Sequence, residues 1–154
     1  MKASSLLNEI RENLANYPID YLKNKAKDDR YPDSITKRLA IYNSKIYDEI
    51  FNLELETDFN IKDSIVSNLK NDIDYYFSVY DPYNEDIEFT KNLCLYLVFI
   101  SKKPLHPYSD DSKNYDVFIK NNKFYCKNRI KYIKDKNSLC RYCVCRNLSF
   151  LSFM

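Results

Sequence analysis

The longest apolar run of the chain reads Leu93-Cys94-Leu95-Tyr96-Leu97-Val98-Phe99-Ile100. This run is far shorter than the ~20 residues that span a bilayer, so we expect it inside a folded protein. Asn84 is its predicted N-cap, acidic residues follow in the first turn, and Lys102-Lys103-Pro104 end the segment. Acids at the start and bases at the end complement the helix dipole. Because the run is apolar on every side, it predicts the central helix of a bundle.

Other stretches before residue 84 carry apolar side chains at helical spacing. The predicted N-caps are Ser4 or Ser5 for the first, Asp33 or Ser34 for the third and Asn60 for the fourth. We therefore predict a mainly α fold, a bundle of four or five helices with a small C-terminal β-hairpin and Cys-rich element. The apolar stripes are Leu6, Leu7, Ile10, Leu14 and Tyr17; Ile19, Leu22 and Ala26; Ile35, Leu39, Tyr42, Ile46, Ile50 and Leu53; and Ile61, Ile65, Leu69, Ile73 and Phe77.

The pattern changes to that of a β-hairpin after Pro104. Residues 117–126 alternate in polarity around Asn121-Asn122, which replaces the usual Asn-Gly turn. This register pairs Val117 with Cys126 and Ile119 with Phe124. By alternation, one face carries those four residues, and the other carries Phe118, Lys120, Lys123 and Tyr125.

Composition excludes several classes of site. The 154 residues include no glycine, so the phosphate loop, the dinucleotide fingerprint and the G-x-S-x-G elbow are absent. No catalytic motif is found, which favours a role other than enzymatic. We expect one domain over 1–154, with a helical body at 1–104 and a hairpin and Cys-rich tail at 105–154. The first residues turn polar too early for a signal peptide, so we expect a cytoplasmic protein without membrane segments.

Most thiols and the single histidine fall in the last third of the chain. His106, Cys126 and the Cys140-Arg141-Tyr142-Cys143-Val144-Cys145 segment are the ligand inventory of a tetrahedral zinc site. The alternative is an iron–sulfur or redox protein, with a cluster on Cys126, Cys140, Cys143 and Cys145 or a redox-active C-x-x-C. A further interpretation is that these cysteines are ordinary core residues, as we expect for Cys94 in the apolar run.

The tail is strongly basic. Residues 115–154 hold 9 basic and 2 acidic residues, a net charge of +7, against −5 for residues 1–114. Aromatic residues interleave with the bases, which suits binding of RNA or single-stranded DNA. The alternative is a solvated face, or one docked on the acidic helices. The candidate nucleic-acid-binding residues are Lys120, Lys123, Tyr125, Lys127 and Arg129.

Three segments carry a family resemblance: Leu97-Val98-Phe99-Ile100-Ser101-Lys102-Lys103-Pro104-Leu105-His106-Pro107, Lys123-Phe124-Tyr125-Cys126 and Asn137-Ser138-Leu139-Cys140-Arg141-Tyr142-Cys143. They resemble the C-terminal half of an uncharacterised protein family of methanogenic archaea (domain of unknown function 2115). The resemblance implies a shared architecture and a shared metal, and it supplies no mechanism. Cys145 stands where the family is expected to have a small residue other than cysteine. The implied ligands are therefore His106, Cys126, Cys140 and Cys143, with Cys145 as a substitute ligand.

Overall fold

The computed structural model describes residues 1–30 and 34–148, and within these ranges the chain is mainly α-helical. A π-helical segment, Tyr96–Ser101, continues the fifth helix, and a 3-10 turn, Cys140–Tyr142, lies near the end. The predicted mainly α fold with a small C-terminal hairpin is confirmed. The elements are α1 (Ala3–Leu14), α2 (Ile19–Ala26), α3 (Ile35–Asn52), α4 (Asp63–Tyr80), α5 (Ile87–Leu95), β1 (Val117–Lys120), β2 (Lys123–Cys126) and α6 (Arg129–Tyr132).

Helix α5 occupies the centre of the bundle, as the apolar run predicted. It contacts α1, α3 and α4. Leu95, Tyr96 and Leu97 are each at most 2% exposed. The helix starts later than predicted, at Ile87, because Asn84 instead accepts the Asp86 N–H at 2.7 Å in the preceding turn. No helix within the described ranges is both long and apolar enough to cross a membrane.

The predicted cap of α3 is confirmed at Ser34, whose hydroxyl oxygen accepts the Lys37 N–H at 3.0 Å. The other candidate, Asp33, lies outside the described residues. The predicted caps of α1 were wrong, because that helix begins at Ala3. Ser4 instead donates its N–H and its hydroxyl to the Asp58 carboxylate, at 2.9 and 2.7 Å.

The predicted cap at Asn60 was also wrong. Asn60 pairs with Lys2 as an isolated antiparallel bridge, so its backbone is engaged with the N-terminal segment, and α4 begins only at Asp63. The buried stripe of α4 shifts accordingly. Val66 is buried, whereas Ile65, predicted to face the core, is 42% exposed.

The hairpin has the predicted register, with Val117 opposite Cys126 and Ile119 opposite Phe124. Asn121 and Asn122 have φ of 53° and 61°. Two successive left-handed residues make the turn whose twist matches that of the flanking strands. Asparagine tolerates this conformation better than most residues, which explains how a chain without glycine closes the hairpin.

Both edges of the hairpin are paired with neighbouring segments. On the β1 side, the Ile119 N–H donates to the Ser109 carbonyl at 3.0 Å. On the β2 side, the Cys126 N–H donates to the Arg146 carbonyl at 3.1 Å, and the Arg146 N–H donates to the Phe124 carbonyl at 2.9 Å. The hairpin is thus hydrogen-bonded to a neighbouring residue on each side, which gives it more support than two strands alone have.

One predicted feature of the hairpin was wrong. Phe118 was assigned to an outer face, but it is only 5% exposed. Tyr125 stacks on it with ring centroids 5.6 Å apart and covers part of the ring. The face shared by these two rings is therefore not an open aromatic platform.

Candidate metal centre

Four cysteines of the tail are brought to one region by the hairpin and the 3-10 turn. Cys126 ends β2, and Cys140 begins the turn. The Cys140 N–H donates to the Ser138 hydroxyl, and the Cys143 N–H donates to the Cys140 carbonyl, both at 3.1 Å. Cys145 precedes the Arg146 residue that pairs with β2. All four are free thiols, and Cys145 is 3% exposed.

The Cys143 and Cys145 thiols form a hydrogen bond, with Cys143 as the acceptor. This bond is the largest cause lowering the pKa of Cys143, and backbone N–H groups of Cys145 and Leu105 add to the effect. The same bond raises the pKa of Cys145, because the donor must keep its proton.

Cys126 lies within electrostatic range of the other sulfurs. Desolvation raises the pKa of its thiol, and the charges of Cys143 and Cys140 act in the same direction. Hydrogen bonding from the backbone N–H groups of Asn128 and Arg129 opposes the rise. Desolvation outweighs these donors, so the pKa of the Cys126 thiol lies above its usual value.

His106 is placed differently from the cysteines. It lies in a bend after buried Pro104 and is an exposed residue. Partial desolvation by the surrounding protein lowers the pKa of its imidazole, and no cysteine contributes to that shift. Its neighbour Leu105 does reach the cysteines, through its N–H to Cys143.

Among residues 1–30 and 34–148, no group of three His, Cys, Asp or Glu side chains is arranged to hold a metal ion. The four thiols of the tail are therefore not arranged in a coordination geometry. Cys94 packs against the main core, as predicted, and burial raises its pKa to about 12.

The basic residues of the tail differ in their surroundings. Arg129 lies beside the cysteines: its charge acts on Cys143 and Cys145, and its Nε is buried with no hydrogen-bond partner in the described part of the chain. Lys127 donates to the Ser112 carbonyl, and Tyr125 is half-buried against Phe118. Arg141 is exposed and pairs with Asp72. The remaining six basic residues are also exposed: Lys120, Lys123, Lys131, Lys134, Lys136 and Arg146.

The tail is fastened to the helical body by contacts that sequence reasoning missed. Asp72 on α4 accepts from the Arg141 guanidinium and from the Tyr142 hydroxyl. The Tyr42 hydroxyl donates to the Pro104 carbonyl at 2.5 Å, just before the cysteine region. These partners are about 60 to 70 residues apart in sequence. No local pattern signals pairs of that separation.

Comparison with known proteins assigns the family. Residues 4–148 match a family described as uncharacterised proteins conserved in archaea, DUF2115. The chain is also 29% identical, over an alignment of 164 residues, to the UPF0305 protein MJ0646 of Methanocaldococcus jannaschii, covering 98% of this chain and 99% of the relative. No solved structure matches. The predicted resemblance is thus confirmed, it extends through the helices, and the chain belongs to the DUF2115 family of archaeal proteins.

Proposed function

We propose that the C-terminal cysteines bind a structural zinc ion through Cys126, Cys140 and Cys143, with Cys145 or His106 as the fourth ligand. The observation that supports this most directly is that β2 and the 3-10 turn bring free thiols of the tail to one region. Arg146 pairs with β2, so Cys145 lies beside the strand that Cys126 ends. Cysteine thiolates are the usual ligands of structural Zn²⁺.

A structural role fits the surroundings of the cysteines. The hairpin and the 3-10 turn contain few buried apolar side chains, Val117 and Phe118 being the main ones. A metal held by Cys126 and by Cys140 and Cys143 would cross-link β2 to the turn and offset part of the entropy lost on ordering these segments. Because the described thiols are not in a closed geometry, binding requires their side chains to reorient.

Elemental analysis of the purified full-length protein tests this proposal. We expect one zinc per chain, no visible absorption, and loss of the metal in a variant with Cys140→Ser and Cys143→Ser. A brown protein containing iron would instead support the iron–sulfur alternative. Protein that is free of metal after purification and does not bind added Zn²⁺ would contradict both.

Binding of RNA or single-stranded DNA is a second candidate function, favoured by one observation. Six exposed basic residues of the tail form no ion pair with a described acidic side chain, whereas exposed Arg141 pairs with Asp72. The six are Lys120, Lys123, Lys131, Lys134, Lys136 and Arg146. The burial of Phe118 weakens the stacking part of this idea, since base stacking needs an open ring.

Salt dependence tests the nucleic-acid proposal. If Lys120 and Lys123 both contact phosphates, replacing them with Gln should reduce the slope of log K against log salt by about 1.4, at roughly 0.7 per contact on single strands. Lys25→Gln with Lys27→Gln, two exposed lysines at the end of α2, is the matched control. Absence of measurable binding to a mixed-sequence RNA at ~50 mM salt would refute the proposal.

A further inference from the structure

We propose that this protein forms a twofold dimer, in which a basic surface around α6 of each copy packs on exposed tyrosines at the end of α4 of the other copy. The tyrosine patch comprises Tyr75, Val79, Tyr80, Asp81, Tyr83 and Glu85. The lysine patch comprises Ile130, Lys131, Tyr132, Lys134 and Lys136. All of these side chains are exposed in the single chain.

The end of α4 carries several exposed aromatic rings in succession. Tyr75 and Val79 lie four residues apart and therefore share one side of the helix. Tyr76 contacts Tyr80 with ring centroids 4.9 Å apart, which holds the Tyr80 ring next to them. Tyr83, in the turn that follows, is 92% exposed. Single exposed apolar side chains are common, but a contiguous group of them indicates an interaction surface.

Acidic charge surrounds these rings. Residues 71–90 contain six acidic side chains and no basic one. Lys91 of α5 pairs with Asp74. The exposed carboxylates of Asp81 and Glu85 form no ion pair with a described side chain. A partner that covers the rings also desolvates these carboxylates, so it has to supply cations.

The lysine patch has the complementary chemistry. Residues 127–136 contain five basic side chains and one acidic one. Ile130 and Tyr132 are 62% and 49% exposed among these bases. The three lysines of the patch form no ion pair with a described acidic side chain. The chain therefore carries both an apolar surface with unpaired acids and an apolar surface with unpaired bases.

The two patches are adjacent on the molecule. Arg141 donates to the Lys136 carbonyl at 3.0 Å and also pairs with Asp72 on α4. Asp72 precedes Tyr75 by three residues and Val79 by seven, which is the spacing of one side of a helix. Arg141 thus lies between the two patches, and among the described residues no ion pair joins them within one copy. Adjacent complementary patches allow a closed dimer in which each copy uses both.

The arginine between the patches shows the kind of contact that we propose. Arg141 pairs with the Asp72 carboxylate, and its guanidinium carbon lies 5.0 Å from the centroid of the Tyr142 ring. A cation beside a carboxylate and over an aromatic ring is stabilised by both. The tyrosine patch offers the same two groups to the lysines of a second copy.

The exposed area is sufficient for a specific dimer. The four tyrosines of the two patches are between 49% and 92% exposed. Covering their exposed parts would bury about 500 Å² per copy, given 150–250 Å² for a whole aromatic side chain. A standard interface buries roughly 800 Å² per partner. Val79, Ile130 and the aliphatic parts of the lysines supply much of the remainder.

Sedimentation equilibrium of the full-length protein, purified free of nucleic acid, tests this inference. We expect a dimer at ~50 mM salt whose dissociation constant rises with salt, because salt screens the charge pairs. Tyr83→Ala should raise the dissociation constant about 10-fold or more, as loss of a central aromatic contact does. Ile35→Ala, which removes a similarly exposed apolar side chain at the start of α3, is the matched control and should leave the constant unchanged.

Charge reversal tests whether the two patches meet each other. Asp81→Lys combined with Glu85→Lys should give a monomer, and so should Lys131→Glu combined with Lys134→Glu. Mixing these two monomeric variants should restore a dimer, because each reversed patch then faces a reversed counterpart. A folding defect in either variant could not produce that rescue.

Three results would overturn the proposal. The first is a chain that stays monomeric at about 100 μM protein in ~50 mM salt. The second is a dimer whose dissociation constant is the same in every variant, since another surface would then form it. The third is a monomer that binds a lysine-rich peptide and loses that binding in Asp81→Lys with Glu85→Lys. The tyrosine patch would then recognise a basic segment of a different protein and not a second copy.

Discussion

Asp72 on α4 accepts hydrogen bonds from two side chains of the tail, the Arg141 guanidinium and the Tyr142 hydroxyl. The substitution Asp72→Asn keeps the size of this side chain and removes its charge, so we use it to predict the strength of these contacts. Asp72 and Arg141 are 32% and 37% exposed, so solvent screening limits their ion pair to about 0.5 kcal/mol. A buried hydrogen bond to a charged group contributes about 1.5–3 kcal/mol to stability. Because the site is partly exposed, we expect the bond from the Tyr142 hydroxyl to contribute no more than the lower end of that range. The expected loss is therefore about 1–2 kcal/mol.

Hydrogen exchange measured by mass spectrometry localises this loss. A change of 1–2 kcal/mol corresponds to roughly a 5–30-fold increase in local opening, which we expect in the peptide that contains Arg141 and Tyr142. Asp74→Asn on the same helix is the matched control. Asp74 pairs with Lys91 of the helical body and is 52% exposed, so its loss should be below about 1 kcal/mol and should leave the tail unchanged. Equal exchange of the tail in both variants would refute the role of Asp72.

Three further outcomes are expected. If zinc is bound, its chelation should increase amide hydrogen exchange after Lys103 and leave most of the helical circular dichroism unchanged, because the helices of residues 1–104 bury their own apolar stripes. Complete loss of the helical signal would contradict this. Leu97→Ala, at a position 2% exposed, should cost about 2–5 kcal/mol in denaturant unfolding, and Val98→Ala, half-buried on the same segment, should cost clearly less. Burial and nearby Asp86 raise the pKa of Tyr17 to about 12. The folded state therefore favours the protonated phenol. The stability that this preference contributes is complete below about pH 10 and is lost as the pH rises through about 12. Tyr17→Phe should flatten that part of the curve of unfolding free energy against pH.

Local patterns predicted the parts of the fold that local chemistry determines. Continuous apolarity identified the central helix, Ser34 was one of two candidate caps for α3, and alternation around Asn121-Asn122 predicted the hairpin register. Each of these depends on residues within a few positions of one another.

The remaining features depend on partners distant in sequence. Asn60 is a residue type that often caps helices, but here its backbone pairs with Lys2 of the N-terminal segment, and α4 begins three residues later. Phe118 alternates like an outward residue, yet it is buried beneath its neighbours. In the candidate site, composition identified the cysteines and left the fourth ligand undecided. The pairing of Arg146 with β2, which places Cys145 beside the hairpin, is a contact that no spacing rule predicts.

The segments flanking the hairpin also restrict how another protein could recognise this tail. Many domains capture extended peptides by adding a foreign strand to an open sheet edge. Here the backbone groups in the middle of both edges are already used, by Ser109 on one side and Arg146 on the other. A binding partner would therefore have to contact the side chains of the hairpin and not extend its sheet. The same pairing limits aggregation of one copy with another by edge-to-edge strand pairing, to which unprotected edge strands are prone.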